Sequence, residues 1–189
     1  MQHPLFISLF MALALTMASA CTPTLSDHLI VDHKGQRTLG TMYNDQLIEI
    51  TVKNHAVNSS LLLKAAHFNV TSFNGIVLLT GQVPSKDAKI LIASKARQIS
   101  NVREVHNEMT VSKPISISAR TKDSLATTKI TARMMLENNF PVSRIKVITE
   151  DSVVYLMGLV TSTEASWAVN LTRRNSGVQK IVKVFEYIN

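Results

Sequence analysis

The residues whose types and spacing could carry a function lie in one predicted helix, residues 123–139 (DSLATTKITARMMLENN). At about 100° per residue, Ala126, Ile130 and Met134 fall on one side, which is enough apolar surface to pack on a domain core. A second arc falls roughly opposite and consists of Leu125, Thr128, Ala132, Met135 and Leu136. Lys129 and Arg133 follow one border between the two sides. The pattern therefore predicts a binding surface for an apolar partner with a negatively charged rim.

Two other interpretations of this second arc stay open from the sequence. The arc can be the interface between two domains of the chain, or Met135 and Leu136 can belong to the core of a rotated helix. Contact with a membrane is favoured because it accounts for both the apolar arc and its cationic border.

Residue patterns typical of catalysis are absent from the sequence. The six histidines are scattered without metal-ligand spacing, and no nucleophile elbow, zinc-protease motif, P-loop or dinucleotide fingerprint occurs. The sequence therefore predicts a protein that is not an enzyme, with no catalytic residues, no metal, no cofactor and no small-molecule substrate.

Composition indicates a folded, mildly basic protein. Of the 189 residues, 46% are hydrophobic and 17% charged, which is globular composition. The 20 Lys and Arg residues against 13 Asp and Glu give a net charge of +7, but no dense basic run occurs and aromatic residues make up only 5%. This pattern argues against nucleic-acid binding and is compatible with a general attraction to anionic surfaces.

The N-terminal residues 1–20 are predicted to be a signal peptide. Leu5 to Met17 is an uncharged apolar run that is too short to span a membrane, and Ala18-Ser19-Ala20 precedes Cys21. Cys21 is the only cysteine, so it has no partner for a disulfide within the chain. The favoured interpretation is that Cys21 is acylated, although Ala18 stands where bacterial lipoproteins usually have Leu. The alternative is ordinary cleavage after Ala20, which leaves a soluble protein.

The rest of the chain is a tether followed by an internal repeat. Residues 21–44 have no sustained period, and Asn44 or Asp45 is expected to cap the first helix. VTSFNGIVLLTGQV (70–83) matches VITEDSVVYLMGLV (147–160), and NVREV (101–105) matches GVQKI (177–181). The predicted domains are residues 45–112 and 123–189, joined by a linker at 113–122.

Each copy has the predicted order αββαβ. The expected hairpins are Ala66–Ser72 with Gly75–Val83 and Arg144–Thr149 with Val153–Val160, with turns at Asn74-Gly75 and Glu150-Asp151. Second helices are expected from Ser85 and Ser162, the latter with a Thr161/Glu164 capping box, and closing strands at Val105–Val111 and Ile181–Ile188. The fold class is α+β, with two helices packed on a small three-stranded mixed sheet in each domain.

The first copy is an internal control for the arc. At an offset of 78, Ala132 and Leu136 align with Asn54 and Asn58, and Lys129 and Arg133 align with Thr51 and His55. The aligned positions Leu47, Ile50 and Val57 remain apolar. The first copy therefore lacks the cationic border and part of the apolar arc.

The repeat resembles the BON domain, through the strand-to-glycine steps VLLTGQV and VYLMGLV and the closing turns at 101–105 and 177–181. From RTLGT (37–41) onward the chain is similar to the division- and outer-membrane-stress-associated lipid-binding family of dual-BON outer-membrane lipoproteins. The resemblance implies a protein that is lipid-anchored at Cys21 on the periplasmic face of the outer membrane. Thr22, rather than Asp, after the cysteine also fits the outer membrane by resemblance to lipoproteins generally.

The resemblance further implies binding of anionic phospholipid through the first helix of the second domain, with a role in envelope integrity at division sites. The predicted lipid-binding residues are Leu125, Thr128, Lys129, Ala132, Arg133, Met135, Leu136 and Gly158. In that family the position of Leu125 is aromatic, so a weaker membrane contact is expected here. The alternative function is a periplasmic scaffold or assembly factor whose partners are proteins of outer-membrane assembly or division.

Overall fold

The computed structural model describes residues 35–189, so the predicted signal peptide, Cys21 and the tether up to residue 34 lie outside the described residues. The first repeat contains α1 (Leu39–Ser59), α2 (Leu61–Lys64), β1 (His67–Phe73), β2 (Ile76–Val83), α3 (Lys86–Arg97), β3 (Glu104–Asn107) and β4 (Thr110–Val111). The second contains α4 (Ile117–Leu136), a 3-10 turn (Val142–Arg144), β5 (Ile145–Glu150), β6 (Val153–Val160), α5 (Ser162–Arg173) and β7 (Lys180–Tyr187). The predicted α+β fold and its duplication are confirmed.

Both sheets are mixed. In the first, β1 and β2 form an antiparallel hairpin while β3 and β4 run parallel to β2. In the second, β5 and β6 form the hairpin and β7 runs parallel to β6. The single closing strand expected at Val105–Val111 is interrupted between β3 and β4, where Met109 is buried in the core of the first domain. The first sheet therefore has four strands and the second has three.

Tight turns connect the two hairpins. Asn74 and Gly75 both have positive φ angles, of 53° and 75°, as expected for an Asn-Gly turn. In the second repeat the turn residues are Asp151 and Ser152, with φ of 48° and 62°. The prediction of a Glu150-Asp151 turn was therefore one residue early, because Glu150 still pairs with Val153 as the last residue of β5.

Both first helices begin earlier than expected. The Thr38 hydroxyl accepts a hydrogen bond from the Thr41 amide and caps α1, so Asn44 and Asp45 lie within the helix. The Ser116 hydroxyl caps α4 in the same way through the Ala119 amide. Residues 117–122, which were expected to be linker, are consequently helical.

Asp45 and Asp123, which resemble caps in the sequence, instead attach each first helix to its hairpin. Asp123 accepts hydrogen bonds from the Asp151 and Ser152 amides at 2.8 and 3.0 Å. Asp45 accepts hydrogen bonds from the amides of Asn74 and Gly75, both at 2.9 Å, and also from Ser72 and Arg37. The two aspartates are separated by the repeat offset of 78, so this attachment is a shared feature of both domains.

Alternate residues of each central strand face opposite layers. On β2, Val77 and Leu79 pack against α1 and α3, while Leu78 faces the other domain. On β6, Val154 and Leu156 join the core beneath α4 and α5, while Tyr155 and Met157 face the other domain. The inter-sheet core contains Phe73, Ile76, Leu78, Tyr155, Met157 and Val184. The two domains therefore dock sheet to sheet, giving four layers in the order α/β/β/α.

Polar side chains close the margins of this interface. The Glu150 carboxylate accepts hydrogen bonds from Asn69 at 3.0 Å and Gln82 at 2.9 Å. At another margin, Glu186 pairs with Arg103, and this hydrogen bond lowers the pKa of Glu186 despite its partial burial. Between the margins, burial raises the pKa of Tyr155 to about 12. The interface is thus apolar in the middle and hydrogen-bonded at its rim.

Met157 is fully buried in the inter-sheet core, so we expect its truncation to reduce the stability of the protein. Met157→Ala should lower the free energy of unfolding by about 2–5 kcal/mol, because it removes buried contacts and leaves a cavity. Met135→Ala is the matched control, since this methionine is exposed and its truncation should change stability by less than about 0.5 kcal/mol. Chemical denaturation measures both; equal, small effects would contradict sheet-to-sheet docking.

The hydrogen bonds that Asp45 accepts in its ionised form predict a loss of stability in acid. Burial alone would raise its pKa, but hydrogen bonds from Gly75, Ser72, Arg37 and Asn74 hold the pKa below the ordinary value of 3.8. The stabilisation is present above that value and is lost as the pH falls through the lower, folded-state pKa.

The Asp45 variant to compare with the wild type is Asp45→Asn, which should be destabilised at pH 7 by about 1–3 kcal/mol and lose less stability on acidification. Denaturation at neutral and acidic pH provides the measurement, with the exposed Asp87→Asn as control. A pH dependence identical in Asp45→Asn and the wild type would show that the carboxylate has no such role.

Candidate membrane-binding surface

The buried side of α4 is the predicted core stripe. Ile130 and Met134 are fully buried and belong to the core of the second domain. Thr127 lies at the edge of this side and donates a hydrogen bond to the Thr149 hydroxyl at 2.8 Å. Together with the Asp123 hydrogen bonds, these contacts fix the rotation of α4 about its axis. The rotation expected from the wheel is therefore the observed one.

The opposite side of α4 is exposed. The exposed fractions are 53% for Leu125, 65% for Met135 and 84% for Leu136, and Thr128 and Ala132 are exposed as well. The earlier start of the helix adds Ile117, which falls on the same side and which sequence analysis missed. We call Ile117, Leu125, Thr128, Ala132, Met135 and Leu136 the outer arc of α4. The signal for Ile117 was its position directly after the cap residue Ser116.

Basic side chains follow one border of the outer arc. Lys129 is exposed and Arg133 is partly buried, and the longer helix places the exposed Lys122 on the same border. Within residues 35–189 none of the three has an ion-pair partner, and the Nη1 atom of Arg133 is buried without a hydrogen-bond acceptor. An anion at this border would gain charge-assisted hydrogen bonds that the protein itself does not supply.

The outer arc lies away from both the cores and the domain interface. The inter-sheet core is on the far side of the second sheet, and Leu125, Met135 and Leu136 belong to none of the three hydrophobic clusters of the described chain. The two alternative interpretations, domain docking and ordinary core, therefore do not match the position of these side chains. The arc is available to a partner outside the folded chain.

Gly158 is separate from the other predicted lipid-binding residues. It lies buried within β6, opposite Ile145 of β5. A Cβ atom at this position would lie 2.5 Å from the carbonyl oxygen of Arg144, closer than real Cβ contacts allow. Its assignment to the binding surface is corrected: the glycine permits close approach of the hairpin strands, and burial keeps it from a bilayer.

The first domain supplies a comparison helix with a different surface. Leu47 and Ile50 of α1 are exposed, as are Asn54 and Asn58, which replace apolar residues of the outer arc. Val57 is partly buried against the core of the first domain, so it is unsuitable as a surface control. Exposed apolar side chains also occur at Leu39, Met42 and Tyr43, in a part of α1 that had been expected to be tether.

Other features of residues 35–189 do not form a second site of recognisable chemistry. Within this range no group of His, Cys, Asp and Glu side chains is placed to hold a metal ion, and no helix is long and apolar enough to cross a membrane. His67 begins β1, as expected for a strand residue, and burial lowers its pKa although Glu150 lies 3.6 Å away. His28 and His33 lie outside the described residues.

Comparison with known proteins identifies both repeats. The BON domain family model matches residues 44–113 and 122–189. The chain is 37% identical over 153 residues to the outer membrane lipoprotein DolP of Haemophilus influenzae, covering 81% of this chain and 79% of that protein. It is 31% identical over 152 residues to a 21 kDa hemolysin of Actinobacillus pleuropneumoniae, and the alignment covers 80% of this chain and 78% of that protein.

A solved structure is similar at a lower level. The C-terminal domain of CdsD, a structural protein of the type III secretion system of Chlamydia trachomatis, aligns with a TM-score of 0.32 and 11% identity. The alignment covers 74% of this chain and 97% of that one. A likeness at this level carries no argument about function.

Proposed function

The chain belongs to the BON-domain family, and from that premise we propose that it is a non-enzymatic outer-membrane lipoprotein that binds anionic phospholipid through α4. The observation that carries the proposal is the outer arc of α4, an exposed apolar surface bordered by cations without partners in the described chain. The relative named outer membrane lipoprotein supports the location. A leader cleaved before Cys21 and acylation of that cysteine complete the proposed anchor.

The outer arc has the two properties that an interfacial helix needs. Its apolar side chains can enter the boundary between headgroups and acyl chains, where complete burial of one Leu or Met is worth about 1.5–3 kcal/mol. Basic residues near an anionic surface add about 1 kcal/mol each at low salt. Since Leu125, Met135 and Leu136 protrude from a helix fixed by its buried side, they can insert without unfolding the domain.

Arg133 gives the border a specific reason to prefer phosphate. Its buried Nη1 atom has no acceptor among residues 35–189, which is an unfavourable state for a charged donor. Arg133 is only partly buried, so when its side chain turns outward a phosphodiester oxygen at the border can accept this hydrogen bond, and the planar guanidinium suits that geometry. Lys129, which is exposed, adds a less directional attraction.

The proposed anchor and α4 can act on the same membrane. Cys21 precedes the first described residue by about 14 residues, which span up to roughly 50 Å when extended. Several acyl chains hold a protein stably where a single weak contact does not. The lipid anchor would therefore keep the protein at the membrane, while α4 would set its orientation there. A role in envelope integrity at division sites is part of the proposal and rests on the family resemblance.

The second candidate is a periplasmic scaffold or assembly factor that places the outer arc in an apolar groove of a protein of the outer-membrane assembly or division machinery. The same exposed side chains favour it, because an apolar helix face with charged borders also suits a protein groove. Dependence of binding on anionic lipid distinguishes the two candidates.

The outer arc predicts that Met135→Glu and Leu125→Glu abolish binding to anionic phospholipid vesicles without unfolding the domain. Each change removes an apolar contact and places a carboxylate against anionic headgroups, so affinity should fall more than about tenfold. Vesicle sedimentation measures binding, and thermal melts test folding. Leu47→Glu on α1 is the matched control and should leave binding unchanged.

Each outcome of this experiment has a definite meaning. If Met135→Glu binds vesicles like the wild type, the outer arc has no role in lipid binding and the scaffold function is favoured. Wild-type binding that is equal on neutral and anionic vesicles would contradict the role of Lys129 and Arg133.

The proposed anchor predicts that Cys21→Ala releases the protein from the membrane fraction of cells, since α4 alone binds reversibly. Fractionation under moderate salt measures the release. Intact-mass analysis of the mature wild-type protein should show an N-terminal acylated cysteine. An unmodified Cys21 at the mature N-terminus would contradict the anchor and favour simple cleavage after Ala20.

A further inference from the structure

The last strand of the second sheet has a free edge. The strand order is β5-β6-β7, so β7 pairs with β6 on one side and with no strand of residues 35–189 on the other. The Ile188 amide, just past β7, donates to the Val160 carbonyl of β6, and backbone groups alternate in direction along a strand. The residues whose N–H and C=O groups point to the free edge are therefore Ile181, Lys183, Phe185 and Tyr187. This edge can hydrogen-bond an added strand.

The corresponding edge of the first domain is interrupted. There the closing strand is divided into β3 and β4, and Met109 between them is buried in the core. Short strands and breaks of this kind are how natural sheets protect their edges from unwanted pairing. In contrast, β7 pairs with β6 over all eight of its residues, from Lys180 to Tyr187. The second domain therefore presents a continuous edge where the first does not.

A groove of about 330 Å³ lies between α5 and this edge. Its α5 wall includes small side chains, among them Ser162, Ala165 and Ser166. Its β7 wall includes Lys183 and Tyr187, on the same side of the strand as the β7 residues that pack beneath α5. The described residues that line the groove come from α5 and β7 and not from β6 or α4, so the groove opens at the free edge. Alternate side chains of a strand added to β7 would enter it.

The groove is cationic. Arg173 of α5 and Lys183 of β7 line it and are exposed, and Lys180 at the start of β7 is exposed as well. Within residues 35–189 none of the three forms an ion pair, and none of the described residues that line the groove is acidic. The one carboxylate of β7, Glu186, pairs with Arg103 of the first domain. A partner with carboxylates would meet cations that the described chain does not neutralise.

We propose that β7 binds an extended acidic segment of another protein as a fourth strand of the second sheet. Backbone hydrogen bonds hold the segment to the free edge, and carboxylates at alternate positions pair with Lys183 and Arg173 in the groove. A second copy of this chain suits the edge less well, because pairing of two β7 strands brings their exposed lysines together. The ligand is therefore a strand of different sequence and opposite charge.

The free edge remains accessible when α4 faces a membrane. α4 lies beside β5, to which Thr127 is joined by its hydrogen bond to Thr149. β5 and β7 are the two opposite edges of the sheet, with β6 between them. A strand added to β7 extends the sheet away from the outer arc, so lipid and peptide can be bound at the same time.

The test measures binding of a fluorescent peptide of alternating glutamate and valine to the full chain, purified in mild detergent. The peptide is about seven residues long, which is a usual strand length. The same peptide with lysine in place of glutamate is the control for charge. Fluorescence anisotropy gives the two affinities.

Two variants at one position separate strand pairing from charge. Lys183→Pro removes an edge-facing N–H without removing a hydrogen bond to β6, and edge strands accept proline at such positions. Lys183→Ala is the matched control, because it removes the same charge and keeps the amide. Arg173→Glu tests the groove without altering the strand, and Arg97→Glu, at an exposed arginine at the end of α3, is its control. Thermal melts verify that each variant is folded.

The wild type should bind the glutamate peptide more than about tenfold more tightly than the lysine peptide. Lys183→Ala should weaken binding several-fold, and Lys183→Pro should weaken it about tenfold further. Arg173→Glu should also weaken binding at least about tenfold, whereas Arg97→Glu should have no effect. Met135→Glu should bind the peptide like the wild type, which keeps this result separate from lipid binding by α4.

Hydrogen exchange of the wild type, followed by NMR, tests the pairing without any substitution. The glutamate peptide should slow exchange at the edge-facing amides of β7, namely those of Ile181, Lys183, Phe185 and Tyr187. Unchanged exchange at these amides, or equal affinity for the two peptides, would overturn the proposal. Equal binding by folded Lys183→Pro and Lys183→Ala would overturn it as well, since the peptide would then contact charges without joining the sheet. Dimers that form without peptide and are dispersed by Lys183→Pro would overturn it in favour of a second copy.

Discussion

Each sheet of the duplicated domain has two apolar faces, and its own helices can cover only one of them. The consequence is visible on the central strands, where Val77 and Leu156 pack beneath helices while Leu78 and Met157 on the reverse faces are equally buried. A domain of about 65 residues is small for a stable core of its own. Each sheet therefore buries the second apolar face of the other sheet. Hydrogen bonds of Glu150 and Glu186 across the margins fix how the two sheets align.

Docking through the sheets leaves the helices on the outside and makes their outer faces the functional surfaces. The repeat keeps what folding needs in both copies, such as the aspartate that holds each first helix to its hairpin turn. The outer faces have diverged. α4 presents apolar residues next to Lys129 and Arg133, which form no ion pair within the described part of the chain, whereas α1 presents apolar residues and carboxylates that are hydrogen-bonded to the protein. The two outer faces therefore differ in charge and in apolar content, although they belong to copies of one repeat.

Much of the fold follows from local sequence patterns. The repeat, the Asn74-Gly75 turn, the Thr161/Glu164 capping box and the Ile130/Met134 stripe are short-range features, and the structure contains all of them. The helix starts were missed because Asp45 resembles a cap and Asp123 was taken as the first helical residue, while the true caps, Thr38 and Ser116, precede less regular segments.

The state of the outer arc depends on long-range packing and cannot be read from one helix. The domains dock through their sheets, on the side of the second sheet that faces away from α4. Only this arrangement shows that the domain interface does not cover Leu125 and Met135. The same limit applies to Gly158, whose burial depends on its pairing with β5. Sequence patterns therefore predict which residues share a face, and tertiary structure decides what that face meets.

The measurement that tests the account most directly is NMR relaxation of the isotope-labelled protein on anionic lipid that carries a paramagnetic headgroup label. We expect the strongest relaxation at the outer arc of α4, centred on Leu125 and Ala132, with little effect on the inter-sheet core or on α1. The strongest relaxation at α1, or uniform weak relaxation over the whole surface, would contradict lipid binding by the outer arc.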